Sequence, residues 1–90
     1  MPRPKKTRCV EIKPCVEALF PKDKGECEYV CLELDELEAL RLADYLGFYQ
    51  EDAAKRMGVS RVTFGRILKS ARNKLARAII EGLGIKVKQE

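Results

Sequence analysis

Apolar residues in the middle of the chain recur at helical spacing. A first helix is predicted to begin at Asp35, because Glu38 follows it three residues later in a capping-box-like arrangement. Gly47 is predicted to end this helix, since glycine commonly follows the last helical residue. Between these limits the apolar positions that would face a core are Leu37, Leu40, Ala43 and Leu46.

Two further helices are predicted after this glycine. A short helix runs from about Gln50 to Met57 and ends at Gly58. Ser60 is placed to cap a third helix, which continues to about Glu81. When this helix is phased at roughly 100° per residue, one apolar stripe faces the core, formed by Phe64, Ile67, Leu68, Ala71, Leu75, Ala78 and Ile79.

The first third and the end of the chain carry weaker signals. Residues 9–13 alternate apolar and charged side chains, which predicts a short half-buried strand that stops at Pro14. Residues 26–34 predict a second strand, and the two pieces together suggest a small β-hairpin-like unit. Residues 83–90 alternate again and predict a tail or an edge strand.

The turn between the second and third helices has the residue types that a helix-turn-helix requires. Ala54 is small enough for two helices to cross closely, Gly58 can adopt the positive φ of a sharp turn, and Val59 fills the space beneath it. Phe64 and Ile67 return to the shared core. A short helix, a glycine turn and a capped helix together predict a helix-turn-helix.

The predicted fold is therefore mainly α, with a three-helix core that contains the helix-turn-helix and a small N-terminal β-hairpin-like unit. Ninety residues are enough for one hydrophobic core. The predicted organisation is a flexible basic arm at 1–8, a small cysteine-containing unit at 9–34, the helix-turn-helix domain at 35–82, and the tail or edge strand at 83–90.

Charge is distributed in blocks along the chain, although the net charge is only +4. Residues 1–8 carry four basic side chains and residues 53–78 carry eight, with no acidic residue in either block. Residues 9–52 carry twelve acidic side chains and four basic ones. Two basic blocks favour a face that binds a polyanion, and the alternative is an ordinary solvated helix surface.

The exposed side of the third helix is predicted to enter the major groove of double-stranded DNA. Arg61 and Arg66 can reach guanine edges or phosphates, and Thr63 can form a hydrogen bond with a base or a phosphate. Val62 can contact a thymine methyl group. Gly65 removes side-chain bulk where the helix must approach another surface. The remaining predicted DNA-binding residues are Ser60, Lys69 and Asn73 around the same helix and Lys55 and Arg56 on the second.

The basic arm has two interpretations. Its residues Arg3, Lys5 and Lys6 can lie in the minor groove beside the helix-turn-helix, as basic arms of other DNA-binding domains do. The alternative is a disordered tail that is only weakly attracted to phosphate.

One stretch of the chain resembles region four of the sigma-70 family, whose helix-turn-helix reads promoter DNA: YQEDAAKRMGVSRVTFGRILKSARNKLA. Together with MPRPKK and LDELEALRLAD, it also resembles, over almost the whole chain, a family of small uncharacterised bacterial and archaeal proteins identified only as predicted DNA-binding proteins. The resemblance implies DNA binding through residues 60–69. The chain is too short for the polymerase-binding regions of a sigma factor, so promoter recognition for initiation is not implied.

Four cysteines lie in the first third of the chain and there is no histidine. They are candidates for one structural zinc ion, although neither pair has the tight C-x2-C spacing of strong zinc modules. Disulfides and free thiols are the alternatives. The candidate ligands are Cys9, Cys15, Cys27 and Cys31.

These features predict a sequence-specific DNA-binding protein that regulates transcription, with an RNA- or protein-binding module based on the long third helix as the alternative. An enzyme is not expected, because histidine, C-x-x-C and a glycine-rich phosphate loop are all lacking. A cytoplasmic location is expected, since no apolar run approaches the roughly 20 residues that span a bilayer and the basic start resembles no secretory signal. A homodimer is compatible with this function, since one helix-turn-helix usually needs a second for high affinity.

Overall fold

The fold is seen in a computed structural model that describes residues 8–14, 17–21 and 28–89. Three helices and a three-stranded sheet form the described part of the chain. In chain order the elements are β1 (Ala18–Leu19), β2 (Tyr29–Leu32), α1 (Leu34–Leu40) with a π-helical continuation at Arg41–Tyr45, α2 (Gln50–Met57), α3 (Arg61–Glu81) and β3 (Gly84–Val87).

The third helix and the helix before it follow the predicted pattern. The bounds of α2 and α3 agree with those expected from Gly58 and Ser60. The first half of α3 packs on α1 and α2 around the fully buried Phe64 and Met57. Its second half packs on the sheet, where Ala71 and Ala78 meet side chains of β2 and β3. No helix in the part of the chain that the structure describes is long and apolar enough to cross a membrane.

The end of the chain forms the centre of the sheet, which corrects its prediction as a tail or edge strand. β3 lies between β1 and β2, antiparallel to the first and parallel to the second. Ile85 and Val87 are buried, so this strand can pair on both sides while its apolar side chains are covered. The hairpin-like unit is also wrong for the described strands, because β1 and β2 each pair with β3 and not with each other.

Residues 9–13 are not a strand, although their exposure alternates as predicted, with Val10 and Ile12 half-buried between exposed neighbours. The backbone of this segment finds partners other than a sheet. The Cys9 N–H donates to the Met57 carbonyl at 3.0 Å. The Glu11 N–H donates to a carboxylate oxygen of Glu38 at 2.9 Å. The segment therefore lies across α1 and the end of α2.

Helix α1 begins earlier than predicted. The Glu33 N–H donates to the Glu36 carboxylate at 2.9 Å, so the capping box uses this pair and not Asp35 with Glu38. Asp35 instead forms an ion pair with Arg8. The pattern of acidic residues alone could not separate these registers, because the sequence offers an acidic partner at the same spacing in both.

Two apolar residues assigned to the core are exposed: Ile79, and Leu46, which is 45% exposed where the π-helical segment ends. Ile79 is 76% exposed, in contrast to Ala78 beside it, which is buried. The sheet covers the side of α3 that carries Ala71 and Ala78, and Ile79 lies a further 100° around the helix. The predicted core stripe therefore ends one residue too late.

Two buried carboxylates connect α1 to its surroundings. Glu36 accepts hydrogen bonds from Ser70 Oγ at 2.5 Å and from Lys74 Nζ at 2.7 Å. Glu38 is bound by Arg41 at 2.6 Å and by the Glu11 amide. Burial raises the pKa of each carboxyl, but the hydrogen bonds outweigh it, and the pKa of both Glu36 and Glu38 lies below the ordinary value.

This lowered pKa predicts a loss of stability in acid. The unfolded chain takes up protons near the ordinary carboxyl value of 4.5, whereas folded Glu36 and Glu38 stay ionised to lower pH. Their stabilising contribution is therefore full above that pH and is lost as the pH falls through the folded pKa values. Urea unfolding between neutral pH and pH 3 should show this decline. Glu36→Gln should flatten it, and an equally steep decline in this variant would contradict the assignment.

Candidate nucleic-acid interface

The first turn of α3 is fixed by Ser60. Its hydroxyl oxygen accepts a hydrogen bond from the Thr63 N–H at 3.1 Å and contacts the Thr63 hydroxyl at 3.0 Å. A serine N-cap satisfies one of the amides that a helix start leaves without a partner. The position of Ser60 as a cap is therefore confirmed, and the helix begins at Arg61.

The turn between α2 and α3 is equally well defined. Gly58 has a φ of +67°, in the left-handed region that glycine adopts without a side-chain clash. The Gly58 N–H donates to the Lys55 carbonyl and the Val59 N–H donates to the Ala54 carbonyl, each at 3.1 Å. Ala54 is buried where the helices meet. These contacts fix the direction in which α3 leaves the turn.

The predicted contact residues of α3 lie on its outer side. Arg61, Val62, Arg66 and Lys69 are all exposed near the start of the helix, with Val62 at 67%. Asn73 is exposed one turn beyond Lys69. Thr63 and Gly65 are half-buried between this side and the core, and Lys55 and Arg56 are exposed on α2. The structure thus brings the first four together on one surface, which we call the α3 basic face.

The basic side chains of α2 and α3 fall into two groups. In the second half of α3, Arg72 pairs with Asp44 at 2.6 Å, Lys74 with Glu36 at 2.7 Å, and Arg77 with Glu81 at 3.3 Å. The Arg72 guanidinium holds the pKa of Asp44 below its ordinary value through their hydrogen bonds. Within the described residues, no carboxylate partner is recorded for the bases nearer the turn: Lys55, Arg61, Arg66 and Lys69.

Arg56 has a different environment from these four. Its guanidinium lies over the ring of Phe48, 4.7 Å from the ring centre. A cation held over an aromatic face loses some of its freedom but keeps its charge. Arg56 therefore keeps its charge beside the turn while its side chain packs on the Phe48 ring.

The sequence analysis did not identify Gln50 as a candidate DNA-binding residue. It is the exposed first residue of α2, and its side-chain oxygen would lie 3.6 Å from a Cβ placed on Gly65. The amide is thus beside the start of α3 and can bind a phosphate or a base edge. The signal in the sequence is a polar residue at the first position of the helix that precedes the turn. Its residue type alone does not distinguish it from a glutamine that is simply solvated.

Several predicted residues lie outside the described part of the chain. The arm residues Arg3, Lys5 and Lys6 are among them, although Arg8 pairs with Asp35 where the description begins. Cys15 and Cys27 also lie outside, whereas Cys9 and Cys31 are described and exposed. The described residues contain no cluster of three metal-binding side chains. Zinc binding stays a prediction, which metal analysis and thiol titration of protein purified without chelator would test.

Comparison with known proteins places this chain in a family. Residues 1–89 match the family described as protein of unknown function DUF134. A UPF0251 protein of Syntrophobacter fumaroxidans is 51% identical over 89 residues, covering 97% of this chain and 57% of the relative. One of Vibrio vulnificus is 51% identical over 84 residues, covering 91% and 84%. One of Moorella thermoacetica is 52% identical over 89 residues, covering 97% and 60%. No solved structure matches.

Proposed function

We propose that this chain, which belongs to the DUF134 family, binds double-stranded DNA sequence-specifically through a helix-turn-helix formed by α2 and α3. The observation that carries the proposal is the α3 basic face. Its bases have no carboxylate partner within the described residues, whereas bases farther along the same helix are paired with acids. We further propose that the protein is a transcriptional regulator and not an enzyme.

The shape of the α3 basic face supports this function. The major groove is roughly 12 Å wide and admits one α-helix. Arg66 and Arg61 extend from the first two turns and can form paired hydrogen bonds with guanine, while the exposed Val62 can contact a thymine methyl group. Lys55, Arg56 and Lys69 flank these residues and would bind phosphates.

A binding assay in a salt series tests the proposal. Labelled duplexes selected from a random DNA library, unselected duplex DNA and duplex RNA would be compared by fluorescence anisotropy. We expect selection to enrich a DNA sequence, and the logarithm of its affinity to fall linearly with the logarithm of salt concentration. Equal affinity for RNA with no enriched DNA sequence would favour an RNA-binding module and overturn the proposal.

Gly65 gives a prediction in which stability and binding change in opposite directions. A Cβ at this position meets only the Gln50 side chain, at an ordinary 3.6 Å. Gly65→Ala should therefore stabilise the folded chain by about 0.5–1 kcal/mol, as alanine does in helices. The added methyl group lies on the side that approaches DNA, so affinity for the selected duplex should fall about tenfold.

Chemical denaturation and anisotropy on the same samples would measure both effects of Gly65→Ala. A stabilised variant with unchanged DNA affinity would show that DNA does not approach α3 at Gly65. A destabilised variant would show that the space beside Gln50 is closed.

A further inference from the structure

The first residue of α2 lies against the α3 basic face. The side-chain oxygen of Gln50 is 3.6 Å from the position that a Cβ on Gly65 would occupy. Residues three and four apart on a helix are neighbours on its surface. For Gly65 these neighbours include Arg61, Val62 and Lys69. The carboxamide of Gln50 is therefore beside the part of α3 where three residues of the α3 basic face meet.

The Gln50 carboxamide is exposed and is not used to hold the fold together. Within the described residues, no hydrogen bond is recorded from its NH2 group or to its oxygen. Gln89 differs, because its NH2 group donates to the Val87 carbonyl at 2.8 Å. Both the donor and the acceptor of Gln50 are thus available to a ligand that approaches α3.

The charges next to Gln50 favour a base edge over a phosphate as this ligand. Glu51 and Asp52 follow it in the first turn of α2, and both are exposed. Their carboxylates repel a phosphate that comes close to Gln50, whereas the edge of a base carries no net charge. The basic residues of α2, Lys55 and Arg56, lie in its last turn. A neutral amide beside an acidic turn is therefore better suited to a base than to the DNA backbone.

We infer that Gln50 recognises one adenine in the major groove, across Gly65, an inference that rests on the proposed function. Adenine offers N7 as an acceptor and its N6 amino group as a donor. The glutamine carboxamide matches both, since its NH2 group donates to N7 and its oxygen accepts from N6. Guanine offers two acceptors and suits the arginines of α3 instead. The sequence preference is therefore shared between α2 and α3.

Gly65 gives Gln50 access to a base that α3 also approaches. When α3 is phased at 100° per residue, Gly65 lies about 40° from Arg61 and Lys69 and about 60° from Val62. A base pair that contacts these residues therefore also faces Gly65. A side chain at this position would occupy space between the base and the Gln50 carboxamide. The absence of one lets a single base edge meet both helices.

Gln50→Met tests the contact with adenine. Methionine keeps a long unbranched side chain that can pack on Gly65, but it cannot form the pair of hydrogen bonds. We expect the wild-type chain to select adenine at one position, and Gln50→Met to lose this preference with an about tenfold loss of affinity for the selected duplex. The salt slope should not change, because glutamine carries no charge. Fluorescence anisotropy on the selected duplex and its single-base variants measures both quantities.

Glu51→Gln is the matched control. It changes the neighbouring exposed residue and removes an acid, so it should strengthen binding to all duplexes alike and leave the base preference as it is. Circular dichroism melting would establish that both variants fold. An adenine preference that survives Gln50→Met would overturn the inference. A loss of affinity that is the same whichever base occupies that position would overturn it too.

The double variant of Gln50→Met with Gly65→Ala tests the approach across Gly65. If both changes disturb the same base contact, their effects on affinity should not add. Gly65→Ala should then cost much less than tenfold when residue 50 is already methionine. Losses that add in full would show that Gln50 does not reach a base across Gly65, and the inference would fail.

Arg66→Ala separates this inference from the proposed function. If Arg66→Ala and Gln50→Met relax the base preference at different positions of the site, both proposals are supported. If only Arg66→Ala relaxes it, DNA binding stands and the role of Gln50 fails. If the wild-type chain selects no DNA sequence, the proposed function fails and the role of Gln50 fails with it.

Discussion

Arg66→Ala is expected to weaken binding to the selected duplex by about 1–3 kcal/mol, or roughly tenfold to more than one-hundredfold. The physical reason is the position of Arg66 on the α3 basic face, exposed and one turn after Val62. An arginine there can donate two parallel hydrogen bonds to one guanine, and alanine leaves the guanine acceptors without a partner. The base preference should therefore relax at one position of the site.

Two other basic residues of α3 provide matched controls. Lys69 lies on the same side and would bind phosphate, so Lys69→Ala should weaken all duplexes alike and reduce the salt slope by about one. Arg72 is already paired with Asp44, and Arg72→Ala should change DNA affinity little. Anisotropy on the selected site and on single-base variants would measure all three. Equal losses for Arg66→Ala and Arg72→Ala, with base preference retained, would point to general charge attraction only.

The structure also shows why some elements could be predicted and others could not. The limits of α2 and α3 depend on residues close in sequence, since Gly58 closes one helix and Ser60 caps the next. Such local chemistry can be recognised directly in a sequence. The capping box of α1 was misplaced because acidic residues are available in two registers, and tertiary contacts such as that of Arg8 with Asp35 distinguish them.

The sheet depends on contacts between distant parts of the chain. Ala18 on β1 is paired with Lys86 on β3, and Tyr29 on β2 is paired with Gly84. The alternating residues of β3 predict a strand but not its neighbours. The exposure of Ile79 has the same origin, because helical spacing defines a face but not how far the neighbouring sheet extends along it.

The α3 basic face depends both on local sequence pattern and on contacts between residues distant in sequence. The sequence predicts that Arg61, Val62, Arg66 and Lys69 share one side, and the structure confirms that all four are exposed. What the sequence could not show is which bases are paired with acids, because Asp44 lies 28 residues from Arg72. The division of α3 into a paired half and an unpaired start therefore depends on tertiary structure.

Glu38 is the residue whose importance was least visible in the sequence. It was expected to help begin a helix, yet its side chain is only 2% exposed beside Arg41. Its two carboxylate oxygens bind the Arg41 guanidinium at 2.6 and 3.1 Å, and one of them also accepts the Glu11 N–H. One side chain thus joins α1 to the extended segment that crosses it.

Glu38→Ala is therefore expected to destabilise the folded chain by about 3 kcal/mol, since it leaves the Glu11 N–H without its acceptor and removes the nearer of the two carboxylates that pair with the partly buried Arg41, the other being Glu11 at 3.5 Å. Glu38→Gln, which keeps the shape but not the charge, should cost less. Glu51→Ala changes an exposed acid on α2 and should cost well under 1 kcal/mol. Urea unfolding gives these values, and hydrogen exchange of the Glu11 amide should become faster in Glu38→Ala even where the chain remains folded. If Glu38→Ala matched Glu51→Ala in stability and kept the Glu11 amide protected, the carboxylate would not be what holds this segment on α1.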